Sequence, residues 1–251
     1  MAKLNLKISG LVMYRGPSQL NRKPIVAIAT GLLHRSRNEK TGKLIQLYIL
    51  PDNGESPLQN ALEGADKAVC GNCKHMGTDG KLGSCYVNLG QGPNAVYDAY
   101  QRGSYTDFAE EHLELFRGRK IRFGTYGDPA AIPLGIIRKL AGVLDSWTGY
   151  THQWKRGPRG LRKFCMASCD TLAEKEEAQA LGWRTFRVRQ EHDPIQRDEF
   201  VCPASNEAGK RLQCATCMAC CGVLRSPQAV SPTIVLHGLD WKLKLFQAAV
   251  S

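Results

Sequence analysis

Long hydrophobic runs are missing from this chain of 251 residues. No stretch approaches the roughly 20 apolar residues that a membrane-spanning helix needs, so a helical membrane protein is excluded. Residues 1–10, MAKLNLKISG, alternate apolar and polar and lack the apolar centre of a secretory signal. The cytoplasm is the expected location. Internal repeats and low-complexity linkers are missing too, and one compact unit is expected. Acidic residues are the scarcer charge, 23 Asp and Glu against 34 Lys and Arg, for a formal charge of +11. That excess favours a polyanionic partner, nucleic acid or a phosphorylated ligand, over an acidic one, although a merely soluble surface has the same composition.

Cysteine is plentiful. Ten cysteines in a compartment that keeps thiols reduced argue for metal ligation over disulfides. Cys202, Cys214, Cys217 and Cys220 place four thiolates in one local segment, with two Cys-x2-Cys steps that wrap a tight turn around one centre. Four thiolates close a tetrahedral zinc site or hold an iron–sulfur cluster. Cys221 is a spare, or takes the place of Cys220. Farther upstream, Cys70, Cys73 and Cys85 supply three thiolates. A structural zinc would need a fourth ligand, from His75 or from Cys165 or Cys169. A three-cysteine iron–sulfur cluster (4Fe-4S) would instead leave one iron open. Cys165 also reads as a buried free thiol.

The remaining chain reads as α/β. Strands are expected at 4–9, 25–29 and 44–50, with a polar, basic connection between the first two. They form an N-terminal β element over 1–60. Residues 61–251 form an α/β metal-binding core that carries the C-terminal cysteine cluster at 202–222. Helices are expected near 93–103 and 108–116. From 121 onward strands and helices alternate: strands 121–126, 149–154, 162–167, 183–188 and 233–236, helices 133–144, 171–181 and 239–250. Such alternation points to βαβ units and a parallel sheet, here a partial (β/α) barrel-like one with cysteine-rich metal-binding loops.

Sites in such sheets form at the carboxyl ends of the strands. Asp128, His152, Asp170 and His237 all fall at expected strand ends and are the candidate acid/base residues. Each has a plainer reading: Asp128 as a turn residue, Asp170 as a helix N-cap, His152 and His237 as satisfied structural histidines. Lys155, Arg156, Arg159, Arg162 and Lys163 put five cations in nine residues after Tyr150 and Trp154. That suits phosphate contact with base stacking on nucleic acid, or a solvated loop.

In order and spacing, Cys70-x2-Cys73, Gly83-Ser84-Cys85-Tyr86, Gly92-Pro93, Tyr126-Gly127-Asp128-Pro129, Tyr150-Thr151-His152, Cys202-Pro203-Ala204, the Cys214–Cys220 run and His237-Gly238 resemble a cysteine-rich family of bacteriophages and mobile elements. That resemblance covers about residues 70–238 and implies no activity. More remotely, the chain is similar to the radical S-adenosylmethionine enzymes, with a three-cysteine cluster early in a partial barrel and a further cysteine cluster near the C-terminus. The cysteine spacing differs, Cys-x2-Cys-x11-Cys here against Cys-x3-Cys-x2-Cys. By this resemblance Cys70, Cys73 and Cys85 hold the open cluster, and Gly124, Gly127 and Asp128 lie against S-adenosylmethionine. The substrate class implied is nucleic acid or a nucleotide. The alternative is a zinc-stabilised basic DNA- or RNA-binding protein without catalysis.

Overall fold

Two runs rich in β-branched and aliphatic residues nucleate the sheet. PIVAIAT forms β2 (Pro24–Thr30) and IQLYILP forms β3 (Ile45–Pro51). All seven residues of β3 are buried, as expected of a strand covered on both faces. The computed structural model describes residues 7–34, 38–225 and 230–250. Part of the strand expected at 4–9 lies outside them, and 7–9 have no regular structure. The basic connection expected after it is instead a strand, β1 (Gly10–Pro17), paired antiparallel to β2 from Gly10↔Thr30 to Pro17↔Pro24. A register shift between Val12 and Tyr14 breaks its two-residue alternation, which removed the strand signal from the sequence.

After β3 the chain makes three helices, α1 (Pro57–Glu63), α2 (Lys67–Cys70) and α3 (Gly92–Gln101), then the two-residue strand β4 (Thr106–Asp107). A regular series follows: β5 (Lys120–Tyr126), α4 (Leu134–Ala141), β6 (Ser146–Thr151), β7 (Met166–Cys169), α5 (Leu172–Ala180) and β8 (Thr185–Arg189). Two strands sit later than, or earlier than, the sequence suggested. β6 ends at Thr151, so His152 follows it. The stretch 159–163 is a 3-10 turn, and β7 begins only at Met166. The chain closes with β9 (Glu199–Val201), α6 (Cys214–Cys217), β10 (Ser231–Val235) and α7 (Asp240–Val250).

All ten strands join one sheet in the order β4-β1-β2-β3-β5-β6-β7-β8-β10-β9. Among the described residues only β1–β2 and β2–β3 pair antiparallel. The fold is thus mixed α/β on a mostly parallel sheet, and the N-terminal hairpin is continuous with the α/β core. The sheet is open, with β4 and β9 as its edges. From β3 to β8 the parallel strands appear in chain order. Each crossover therefore steps the same way, and right-handed crossovers then put their helices on one face. Ile137 and Leu140 of α4 and Ala178 of α5 do share one cluster with Ile121, Phe123 and Trp147. The other face carries Tyr48, Arg122, Tyr126, Tyr150 and Phe186. It is covered by Val96 of α3 at one end and by the segment of Cys202 and Cys214 at the other. No described helix is long and apolar enough to cross a membrane.

Candidate functional site

The three upstream cysteines meet at the carboxyl ends of the parallel strands. Cys70 ends α2, whose Val69 carbonyl accepts from Asp128 N–H at 2.7 Å, just past β5. Gln153, just past β6, donates its amide to the Cys70 carbonyl at 2.8 Å. Cys85 returns to this place because the backbone doubles back: its N–H bonds the His75 carbonyl at 2.9 Å. Gly83 makes that approach possible, since a Cβ there would lie 2.2 Å from the His75 carbonyl oxygen. The three residues keep some exposed surface, yet their thiols are enclosed. Burial raises Cys70 well above the ordinary value, Cys73 to about 12 and Cys85 to about 11. Cys73 and Cys85 add to the Cys70 shift, Cys73 adds to that of Cys85, and Asp66 adds to both. As free groups they stay protonated; a metal that displaces the protons would turn them into ligands.

Beside them lies a buried polar chain. His75 Nε2 bonds Asp170 Oδ2 at 2.8 Å and Nδ1 bonds Ser84 Oγ at 2.7 Å. With Asp170 ionised, Nε2 is the donor to it, and Ser84 Oγ pairs with Nδ1 on the other side of the ring. Burial acts to raise the Asp170 carboxyl, but the His75 bond and the nearby His152 and Lys74 outweigh it and hold it low. Phe246 of α7 stacks on His75, centroids 4.6 Å apart and planes within 6°. Lys242 of the same helix donates to the Cys85 carbonyl, so α7 roofs the cysteines.

His152 stands edge-on to His75, 5.6 Å between centroids. Asp128 fixes it there, accepting from His152 N–H at 2.8 Å and from the Thr151 hydroxyl at 2.7 Å. The His152 ring lines a cleft of about 220 Å³ together with Cys73, Lys74, Gln153, Arg156 and Asp170. Among the described residues, His75, His152 and Asp170 are the one set of three histidine, cysteine or carboxylate ligand atoms within 4.8 Å of one another.

The four downstream cysteines cover the second face of the sheet. The Cys220 carbonyl accepts from Gly149 N–H in β6 at 3.0 Å, and Cys214 N–H donates to the Lys40 carbonyl at 2.8 Å. Lys120 of β5 bonds the Ala215 carbonyl at 3.1 Å. Met218, in the left-handed region at φ 50°, turns the chain between Cys217 and Cys220. Burial raises Cys220 and Cys214; for Cys220, Cys202, Cys214 and Cys217 add to the shift, so the four form one group. Cys221 is not in it. It packs in the main core, with Arg184 3.4 Å from its sulfur. Neither thiol set has three sulfurs within 4.8 Å of one another. Neither set is therefore drawn together as a closed tetrahedral ligand site in this structure.

The other expected residues scatter. Asp128 is spent on three bonds, the third from Ala130 N–H. Gly124 and Gly127 open on no free space: a Cβ would strike the Gly127 carbonyl oxygen and Pro129 in one case and the Ile49 carbonyl oxygen in the other. They serve the turn after β5, not a cofactor cradle. Asp170 precedes the N-cap of α5, which is Thr171. His237 is exposed, its ring bonded to the Val235 carbonyl at 2.9 Å, and it does not line the cleft. Cys165 and Cys169 sit in the main core. His75 has both nitrogens engaged and offers no fourth ligand to the three thiols. Lys155 pairs with Glu177 and lies over the Trp154 ring, and Arg162 bonds the Leu181 carbonyl. Arg156, Arg159 and Lys163 are exposed. Trp154 is buried, its indole N–H on the Ser168 carbonyl, so it offers no stacking platform. Sequence reasoning missed Ser84, Phe246, Arg122 and Arg184; Ser84, adjoining Cys85, had the clearest signal.

No protein-family model, curated protein or solved structure compared with the chain matches it.

Proposed function

We propose that this chain is an iron–sulfur enzyme in which Cys70, Cys73 and Cys85 hold an open cluster, and Cys202, Cys214, Cys217 and Cys220 hold a closed, supporting one. The observation that carries the reading is the three-thiol set itself: enclosed, brought to the strand ends, and open through Cys73 onto a cleft. The strand order from β3 to β8, wound in one direction, agrees with a partial-barrel architecture.

A cluster with one iron lacking a protein ligand supplies electrons to a bound small molecule, S-adenosylmethionine by the resemblance. The contacts to such a molecule would come from the cleft, because Gly124, Gly127 and Asp128 are committed to their turn. Within the cleft, Arg156 attracts an anionic group, while Lys74 is paired with Asp170 and Glu174. The His152 ring has no hydrogen-bond partner among the described residues and can exchange a proton with a substrate. Asp128 keeps that ring in place, and α7 excludes water from the cysteines. Exposed Arg156, Arg159 and Lys163 form a basic border that reaches the cleft at Arg156, which favours a nucleic acid or nucleotide as substrate. The same border is what favours the second reading, a zinc-braced nucleic-acid-binding protein.

The test is to replace Cys70, Cys73 and Cys85 together with alanine. The expected result is loss of about half the iron and sulfide, with the signal of the closed cluster intact. Unchanged iron and sulfide would count against the assignment.

A further inference from the structure

Four arginines are buried: Arg122, Arg184, Arg187 and Arg189. Two have carboxylates, Glu199 for Arg187 and Glu207 for Arg189. Arg122 and Arg184 have none among the described residues, and both face the downstream cysteine loop. Arg184 is occupied by neutral groups, the carbonyls of Ala219, Cys221 and Val230. Arg122 is less satisfied. It projects from β5 onto the second face, donates from Nη2 to the Tyr86 hydroxyl at 2.9 Å, and lies 5.2 Å from the centroid of Tyr150. Its Nε has no partner, and neither has the hydroxyl of Thr148 on the neighbouring strand. Lys120, two residues back on the same face, holds the Ala215 carbonyl, so α6 with Cys214 and Cys217 lies across this part of β5.

A buried cation without an anion is costly, and proteins retain one where a counter-charge exists. We infer that Arg122 is the counter-charge of the cluster held by Cys202, Cys214, Cys217 and Cys220 and sets its reduction potential. This rests on the iron–sulfur reading above. A cluster with four thiolates is a net anion that gains a further negative charge when it takes up one electron. A guanidinium beside it stabilises the reduced state and raises the potential. The Tyr86 bond gives Arg122 a second role. Tyr86 follows Cys85, so one side chain braces the sheet face of the closed site and the loop of the open one.

The experiment is an electron-paramagnetic-resonance redox titration of anaerobically purified protein, with dithionite as reductant. Wild type is compared with Arg122→Gln, Arg122→Met and Arg122→Lys, with Arg119→Gln as a control. Arg119 bonds the carbonyls of Gly31, Leu32 and Leu115, away from both cysteine sets. Neutral replacements are expected to make reduction of the closed cluster at least tenfold less favourable, about 59 mV for one electron. Lysine should recover more than half of that shift, and the control should not move. If the neutral variants fold but lose iron from this site alone, while lysine retains it, the assignment is also supported. A loaded cluster whose potential is the same in all four proteins overturns the Arg122 role and leaves the iron–sulfur reading standing. Wild type without any cluster signal overturns both.

Discussion

Asp66 shows how tightly the upstream site is drawn in. Its Oδ2 accepts from the Tyr126 hydroxyl at 2.6 Å, while Oδ1 is buried without a partner. Burial, only partly opposed by the Tyr126 bond, raises its value from 3.8 to about 6. A carboxyl raised in this way favours the fold while protonated. That contribution is complete below about pH 3.8 and disappears as the pH rises through about 6. Above that, the folded protein holds a buried carboxylate close to Cys70 and Cys85. Asp66→Asn is therefore expected to gain on the order of 2 kcal/mol at pH 8 and almost nothing at pH 4. Urea unfolding at the two pH values checks this; an equal effect at both would contradict it. His75 is the contrasting case. Its ring is bonded on both nitrogens and stacked on one face, so it ties the cysteine loop to β7 and α7 and is not a spare ligand. The sequence left that choice open, because the partners Ser84, Asp170 and Phe246 are spread over more than 160 residues.

At the scale of elements, α7 controls access to the upstream cysteines. It touches them through the Phe246 stack on His75 and the Lys242 bond to Cys85, while Trp241 and Leu245 remain exposed. Phe246→Ala removes a buried aromatic and the stack, a loss of about 3 kcal/mol in local stability. In metal-free protein the expected result is labelling of Cys73 and Cys85 by a thiol reagent at least tenfold faster, with the sheet intact by far-UV circular dichroism. Unchanged labelling rates would show that α7 does not cover the site. The helices and strands after residue 120 were legible because regular βαβ alternation repeats there. β1 was not, since its bulge and its terminal Pro17 erase the period-two pattern. The expected strand at 162–167 slipped because Phe164, and Leu161 just before the stretch, pack from a 3-10 turn and its C-cap.

For the whole molecule, the sequence suggested two cysteine groups by spacing, and folding supplied where those cysteines sit. Cys70, Cys73 and Cys85 converge on the strand ends, while Cys202, Cys214, Cys217 and Cys220 cover one face of the sheet. No local spacing encodes that difference. The +11 charge is likewise two things in space. Part of it is exposed, and reaches the cleft at Arg156. Its buried part, Arg122 and Arg184, faces the cysteine loop and was invisible in a count of charges. Metal identity is the hinge of the account, since four thiolates can hold either a single zinc or an iron–sulfur cube. Iron, acid-labile sulfide and zinc should be measured together in protein purified without oxygen. The account predicts roughly eight iron and eight sulfide per chain, as two four-iron clusters, with little zinc. Stoichiometric zinc with no sulfide would contradict it.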